Sequence, residues 1–260
     1  MSSVSKETIL EGIDINKMFK VGNGMVQVLK GVNLIVKKGE FIILFGSSGC
    51  GKSTLLNILL GLEIPSGGKV MFLEKDLYSY NEDERSQFRK ENVGLIYQQQ
   101  NWVKALNVLE NVAFPLTLRG ILQEEKDQKA NEMLEMVNMK DFSNQAPTEL
   151  SSGQQQKISY ARALISNPAL LIADEPTGNL DSKSSTELMD MFKEYNERGN
   201  TIILVTHDLK FLDYATRSVN MSDGIIVGEY LRGDKALEKF KIYIKDDDRG
   251  RTEEKTKKDN

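Results

Sequence analysis

The run Gly46-Ser-Ser-Gly-Cys-Gly-Lys52-Ser53-Thr54 fits the pattern G-x-x-x-x-G-K-[ST], and the chemistry of that pattern is anion binding. Its glycines let the backbone wrap closely around an anion without Cβ clashes. Free N–H groups at a following helix start point inward with the positive end of the helix dipole. Gly46, Ser47, Ser48, Gly49, Cys50, Gly51, Lys52, Ser53 and Thr54 are therefore expected to cradle nucleotide phosphates, with Lys52 on β- and γ-phosphate oxygens and the Ser53 hydroxyl on Mg²⁺. Asp174-Glu175 offers a carboxylate suited to Mg²⁺ and, beside it, a base able to polarise an attacking water. Gln98 and His207, the chain's one histidine, add an amide and an imidazole. Each of these has a bland reading when taken alone. An Asp-Glu pair can cap a helix, Gln98-Gln-Gln100 can be a polar surface turn, and a single histidine can be structural.

The elements that must position these groups argue against the bland readings. Phe41–Phe45, Val93–Tyr97, Leu170–Ala173 and Thr201–Val205 are short runs rich in Ile, Leu and Val without polar alternation, the pattern of parallel strands buried on both faces. Ligands of parallel sheets bind beyond the carboxyl ends of the strands. The four runs lead into the phosphate loop, Gln98, Asp174-Glu175 and Thr206-His207, so the candidate groups converge on one sheet edge. Helical patterns over Ser53–Leu62, Asn107–Leu118, Glu124–Met139, Gly153–Ile165 and Ser182–Arg198 alternate with these strands and predict an α/β domain with a mostly parallel core sheet. A helical subdomain over about 99–165 is inserted between two of the strands. Ile9–Val36 reads as short strands around the turn Val21-Gly-Asn-Gly24, which with Val70-Met-Phe72 form an N-terminal antiparallel β subdomain. The domain is placed at 1–232 and a C-terminal extension at 233–260. Within that extension Phe240–Lys245 alternates like an edge strand, and a charged tail from 246 lacks any apolar anchor.

Composition narrows the function classes. Lys plus Arg at 34 against Asp plus Glu at 38 gives a net charge of -4, without the basic excess that nucleic-acid binding demands. No apolar run approaches the roughly 18 residues of a membrane span. One cysteine and one histidine build neither an intrachain disulfide nor a His/Cys zinc cage. The first residues lack the apolar core of a signal peptide, so a cytoplasmic location is expected.

A second motif decides the family. Leu150-Ser-Ser-Gly-Gln154, running into the helix Ile158-Ser-Tyr-Ala-Arg-Ala-Leu164, resembles the L-S-G-G-Q signature of ABC-type ATPases, and Asp174-Glu175-Pro-Thr-Gly-Asn-Leu-Asp181 resembles that family's Walker B to D-loop stretch almost letter for letter. Ser151 with Gln154 is also an ordinary capping box. The resemblance covers roughly Ile9 to Tyr230 and implies a P-loop NTPase fold of ABC type that hydrolyses ATP with Mg²⁺. It implies that Phe19 stacks on adenine, and that Gln98 touches Mg²⁺ and water and senses a transporter. Ser151, Gly153 and Gln154 would meet the γ-phosphate of ATP held by another subunit. Glu175 is the matching general base, Asp181 the D-loop contact across the dimer, and His207 the switch histidine at the γ-phosphate. Metal contacts fall to Ser53, Gln98 and Asp174, and catalysis to Glu175, His207, Gln98 and Lys52. Ser152 replaces the first signature glycine and Lys157 a common arginine; the added Cβ at 152 is expected to slow turnover without abolishing it. The Cys50 thiol is expected to be shielded by bound nucleotide.

In that family two copies meet head to tail around two ATP molecules, so a homodimer is expected, together with a separate transmembrane permease that holds the chain at the inner face of the membrane. Val26–Asn33, Leu109–Pro115 and Pro176–Asp181 look most like the branch serving lipoprotein release, macrolide export and antimicrobial-peptide resistance, whose permeases carry large extracytoplasmic domains. Trp102, Val103 and Leu106 either line a groove for the permease or belong to the subdomain core. The alternative reading is a division-type regulatory ATPase of the same family that signals through a membrane partner without moving cargo. A soluble or chromosome-maintenance ATPase fits less well, since no long coiled coil separates Lys52 from Ser151.

Overall fold

The computed structural model describes residues 7–241. Along them the chain runs β1 (Thr8–Val21), β2 (Gly24–Lys37), β3 (Phe41–Phe45), α1 (Lys52–Leu59), β4 (Gly67–Phe72), β5 (Lys75–Asp76), α2 (Glu82–Asn92), β6 (Val93–Tyr97), α3 (Val108–Leu118), α4 (Gln123–Met136), α5 (Ser152–Leu164), β7 (Leu170–Asp174), α6 (Ser182–Glu197), β8 (Ile202–Thr206), β9 (Arg217–Ser222) and β10 (Ile225–Leu231). The main sheet has the order β10-β9-β3-β8-β7-β6. Its strands are parallel except β10, which returns antiparallel to β9. The expectation of a mostly parallel α/β core therefore holds.

The strand periodicity explains why one sheet carries two cores. Phe41, Ile43 and Phe45 of β3 face a layer that includes α3, α4, α5 and α6, whereas Ile42 and Leu44 face α1 and the second sheet. All five residues are fully or almost fully buried, and each contributes about 1.5–3 kcal/mol by leaving water. Such strands have no polar face, which is why their sequences lack alternation. The registers place Phe45 opposite Thr206, Val205 opposite Asp174, and Asp174 opposite Tyr97. That alignment levels the carboxyl ends of β3, β8, β7 and β6, and the loops that follow open on one edge.

The second sheet has the order β2-β1-β4-β5 and is antiparallel. The short strands expected over Ile9–Val36 are instead two 14-residue strands. Bulges between Gly12 and Met18 interrupt their ladder, and the extra residues break the period-two pattern that would have revealed one long hairpin. The helix expected to reach Met139 ends at Met136, because Asn138 adopts a left-handed φ of 57° and stops it.

The C-terminal edge strand expected at Phe240–Lys245 is not formed where the chain is described. Residues 235–241 are helical, the Asp234 carboxylate accepts from the Ala236 N–H, and Leu237 is buried. Phe240 packs edge-on against Phe45 at 5.6 Å. Leu237 and Phe240, three apart, share one helix face, and that packing overrides the alternation. The rest of that expected strand and the charged tail from 246 lie outside the described residues. Among the described residues no helix is long and apolar enough to cross a membrane.

Candidate functional site

The loop between β3 and α1 is shaped by one close approach. A Cβ on Gly46, whose φ is 150°, would sit 2.1 Å from the Met221 carbonyl oxygen, so only glycine fits. Gly51 caps α1 at φ 106° without a side-chain hydrogen bond, and the first turn of α1 carries no acidic residue. Its N–H groups are thus left for an external anion. Lys52, 7% exposed, donates from Nζ to the Gly46 carbonyl at 2.8 Å and the Ser47 carbonyl at 2.9 Å, which holds its charge over the loop. A cavity of about 530 Å³ opens there, lined by Ser48, Gly49, Gly51, Lys52, Ser53, Thr54, Gln98, Glu175 and His207, together with Val28 and Val205. The side chains expected from four separate strand ends therefore meet at one place. Val28 and Val205 were not foreseen; an apolar residue in a strand reads as core, and nothing in its sequence marks it as facing a cavity.

Glu175, which lines this cavity, is under backbone constraint. Its φ is 48°, a conformation that costs a non-glycine residue about 1–2 kcal/mol and is characteristic of functional loops. Its N–H donates to the Val205 carbonyl, and both carboxylate oxygens lie 3.0 Å from His207 Nδ1. The carboxylate is therefore held in a fixed direction by a polar partner that can carry a proton.

Asp174, at the end of β7, does not line the cavity wall; its Oδ1 is buried without a hydrogen-bond partner. Burial and then the charge of Glu175 push its carboxyl above the usual carboxylate range, with the Ser53 hydroxyl and the Lys52 charge opposing. An orphaned buried carboxylate oxygen beside a serine hydroxyl is a donor set suited to a hard divalent cation. No cluster of three or more His, Cys, Asp or Glu that could hold a metal exists among the described residues.

An acid whose folded pKa is raised destabilises the fold once ionised, and the penalty appears as pH rises through the folded value. Asp174→Asn should therefore raise the melting temperature at pH 7 without nucleotide or magnesium. It should also weaken Mg²⁺-dependent nucleotide binding. Differential scanning fluorimetry with and without Mg-ATP reads both effects.

The remaining expected residues lie elsewhere. Cys50 is 5% exposed and packed in the protein's own core, so the expected shielding of its thiol by nucleotide gives way to shielding by protein. Phe19 lies on β1 opposite Val26, with Lys17 Nζ 4.7 Å from its ring centroid; it is half-buried and outside the cavity lining. Ser151 caps α5 in a capping box with Gln154. Asp181 caps α6, accepting from the Lys183 and Ser184 N–H groups. A Cβ on Gly153 would come 2.8 Å from Ser184 Oγ, so the starts of α5 and α6 abut. None of these four lines the cavity. A Cβ on Gly178 would lie 2.6 Å from Gln98 Nε2, which packs the Gln98 amide on the loop behind Glu175. Trp102 is half-buried, with the Arg162 guanidinium 4.5 Å from its ring centroid and its Nε1 donating to Gln155.

Residues 29–178 match the family model described as ABC transporter. The chain is 43% identical over 219 residues to an uncharacterized ABC transporter ATP-binding protein, MJ1508, of Methanocaldococcus jannaschii, covering 84% of this chain and 98% of that one. It is 42% identical over 213 residues to the macrolide export ATP-binding/permease protein MacB of Campylobacter jejuni; the match covers 82% of this chain and only 33% of MacB. In structure it resembles the dimeric post-hydrolysis state of the ATP-binding cassette MJ0796 bound to ADP and Pi, with a TM-score of 0.81 and 36% identity over 87% of this chain and 100% of that one.

Proposed function

The chain belongs to the ABC transporter ATP-binding family, an ATPase built on the P-loop fold, and from that premise we propose that it energises a separate membrane permease by clamping two copies of itself around ATP. The observation that carries this reading is the separation of two helix N-termini. That of α1, uncapped by any side chain, lines the cavity with its loop; that of α5 at Ser151 to Gly153, capped by Ser151 and Gln154, does not. In the proposal a second copy brings its own Ser151, Gly153 and Gln154 to the γ-phosphate held by the first, with Asp181 nearby, and the arrangement is reciprocal. Two head-to-tail copies then enclose two ATP molecules, and the dimeric state of the related cassette MJ0796 supports it. Residues 1–232 would form the working cassette, with 99–165 as its helical subdomain, and 233–260 an extension.

Within each site the proposed roles are these. Lys52 and the N–H groups of α1 neutralise β- and γ-phosphate oxygens, and Phe19 with Val26 offers the base an apolar platform. Glu175 takes a proton from the attacking water; His207, hydrogen-bonded to Glu175, orients it and faces the γ-phosphate. Gln98 holds the water and reports on the permease. Ser53, Asp174 and Gln98 would hold Mg²⁺, which when bound would supply neutralisation of phosphate charge.

The partner is proposed as a permease of the export or extraction type, acting on lipoprotein, peptide or drug-like cargo. MacB supports this because it joins a similar ATP-binding region to a permease in one protein, by its name. The test is purification of the tagged chain from detergent-extracted membranes. An integral membrane protein should co-elute in stoichiometric amount and raise the ATPase rate. Recovery of the chain entirely from the aqueous fraction, with no such protein bound, would overturn the transporter reading.

A further inference from the structure

We infer that Gln156 is a positioning residue that fixes the Glu175 loop from the Gln98–Trp102 segment, so that the state of that segment is felt at the hydrolytic carboxylate. The inference rests on the proposed role of Glu175. Gln156 lies on α5 and is 1% exposed. Its Nε2 donates to the Pro176 carbonyl at 2.6 Å and faces the Tyr97 carbonyl at 3.4 Å. Two carbonyls can be met only by the NH₂ end of the amide, so its orientation is dictated by chemistry. The Oε1 then accepts from Gln100 Nε2 at 2.6 Å. One buried amide thus joins three segments: the end of β6 at Tyr97, Gln100 just beyond it, and Pro176, the residue after Glu175.

The bond to Pro176 matters because Glu175 is held in an unfavourable conformation, with φ 48°. Such a conformation persists only where its surroundings over-determine it. Its own N–H is pinned to Val205 on one side, and the Gln156 bond pins the carbonyl of the next residue on the other. The neighbouring Gln155 makes a parallel connection, accepting from Trp102 Nε1 at 2.8 Å and donating to the Leu150 carbonyl at 2.9 Å, just ahead of Ser151. A shift of the 98–102 segment would therefore pull on both the Glu175 loop and the start of α5. A polar network in low dielectric transmits such a shift because leaving any member unpaired is costly.

The test uses Gln156→Met, which keeps the side-chain volume and removes both the donor and the acceptor, in the full chain. The expected result is a folded protein with KM for ATP within about twofold of the parent and kcat lower by about tenfold or more, as expected when a catalytic group is misplaced by a fraction of its working geometry. In the Glu175→Gln background the same change should cost nothing further, because the group it positions is already disabled. A parental kcat, or a loss explained wholly by a raised KM, would overturn the inference. Should Gln156→Met fail to fold, Gln100→Leu breaks the network from its half-buried end. A fall in kcat at constant KM then supports the inference, and unchanged kinetics overturns it. Glu175→Gln measured alongside separates the layers: full activity there removes the base on which the inference stands, whereas an inactive Glu175→Gln beside a fully active Gln156→Met removes only the positioning role.

Discussion

Glu175→Gln is expected to retain ATP and to lose its turnover, with kcat falling by about two orders of magnitude or more, the usual range for removing a general base. The substitution changes little besides basicity. Glutamine has the same length, occupies the same position after β7, and can still exchange a hydrogen bond with His207 Nδ1, to which the carboxylate now lies at 3.0 Å. It cannot accept a proton from water at neutral pH. The phosphate-binding parts are untouched, since Lys52, Ser53 and the α1 N-terminus lie on a different loop. Single-turnover hydrolysis alongside fluorescent-nucleotide binding separates the two effects. A variant that hydrolysed ATP at the parental rate would remove Glu175 from the role given to it.

Lys52→Ala is expected to act on the other quantity. Two charge-assisted contacts to phosphate at about 1.5–3 kcal/mol each amount to a loss of ATP affinity on the order of a hundredfold or more. The change has a second consequence within the chain. Lys52 Nζ now satisfies the Gly46 and Ser47 carbonyls, and alanine leaves both without that donor, so the loop loses its arrangement as well as its charge. Equilibrium binding of ATP should weaken by that factor, and the melting temperature in the absence of nucleotide should fall because the two carbonyls lose their donor. Parental affinity in a folded Lys52→Ala protein would contradict the phosphate role of this loop.

The legible parts of the molecule were those where one residue type answers to one physical demand. A strand buried on both faces must be apolar throughout, and β3, β7 and β8 were readable for that reason. An anion loop needs glycine where a Cβ would strike Met221, and Gly46 announces it. Other parts were hidden by the same logic. Helix α2 buries only Arg85 and Phe88, so it shows no apolar stripe; its one local signal is the capping box of Asn81 and Glu84. The β9–β10 hairpin was equally silent, although Asp223-Gly224, both at positive φ, is a recognisable turn. Gln156 reads as a solvated helix residue beside two other glutamines and is instead nearly inaccessible, since its partners are backbone carbonyls brought near by the fold. At Phe240 the sequence alternated like a strand, and contact with Phe45 made a helix. The candidate site was more legible than the packing because its residues follow strand ends, whereas Val28 and the placement of the Cys50 thiol depend on tertiary contacts.

The most direct test of the central claim is sedimentation velocity of Glu175→Gln saturated with magnesium and ATP. The expected result is a species of twice the monomer mass that holds two nucleotides, that vanishes when ATP is replaced by ADP, and that fails to form when Lys52→Ala is added. Single copies alone under saturating nucleotide, at every protein concentration tested and with the permease present or absent, would contradict it.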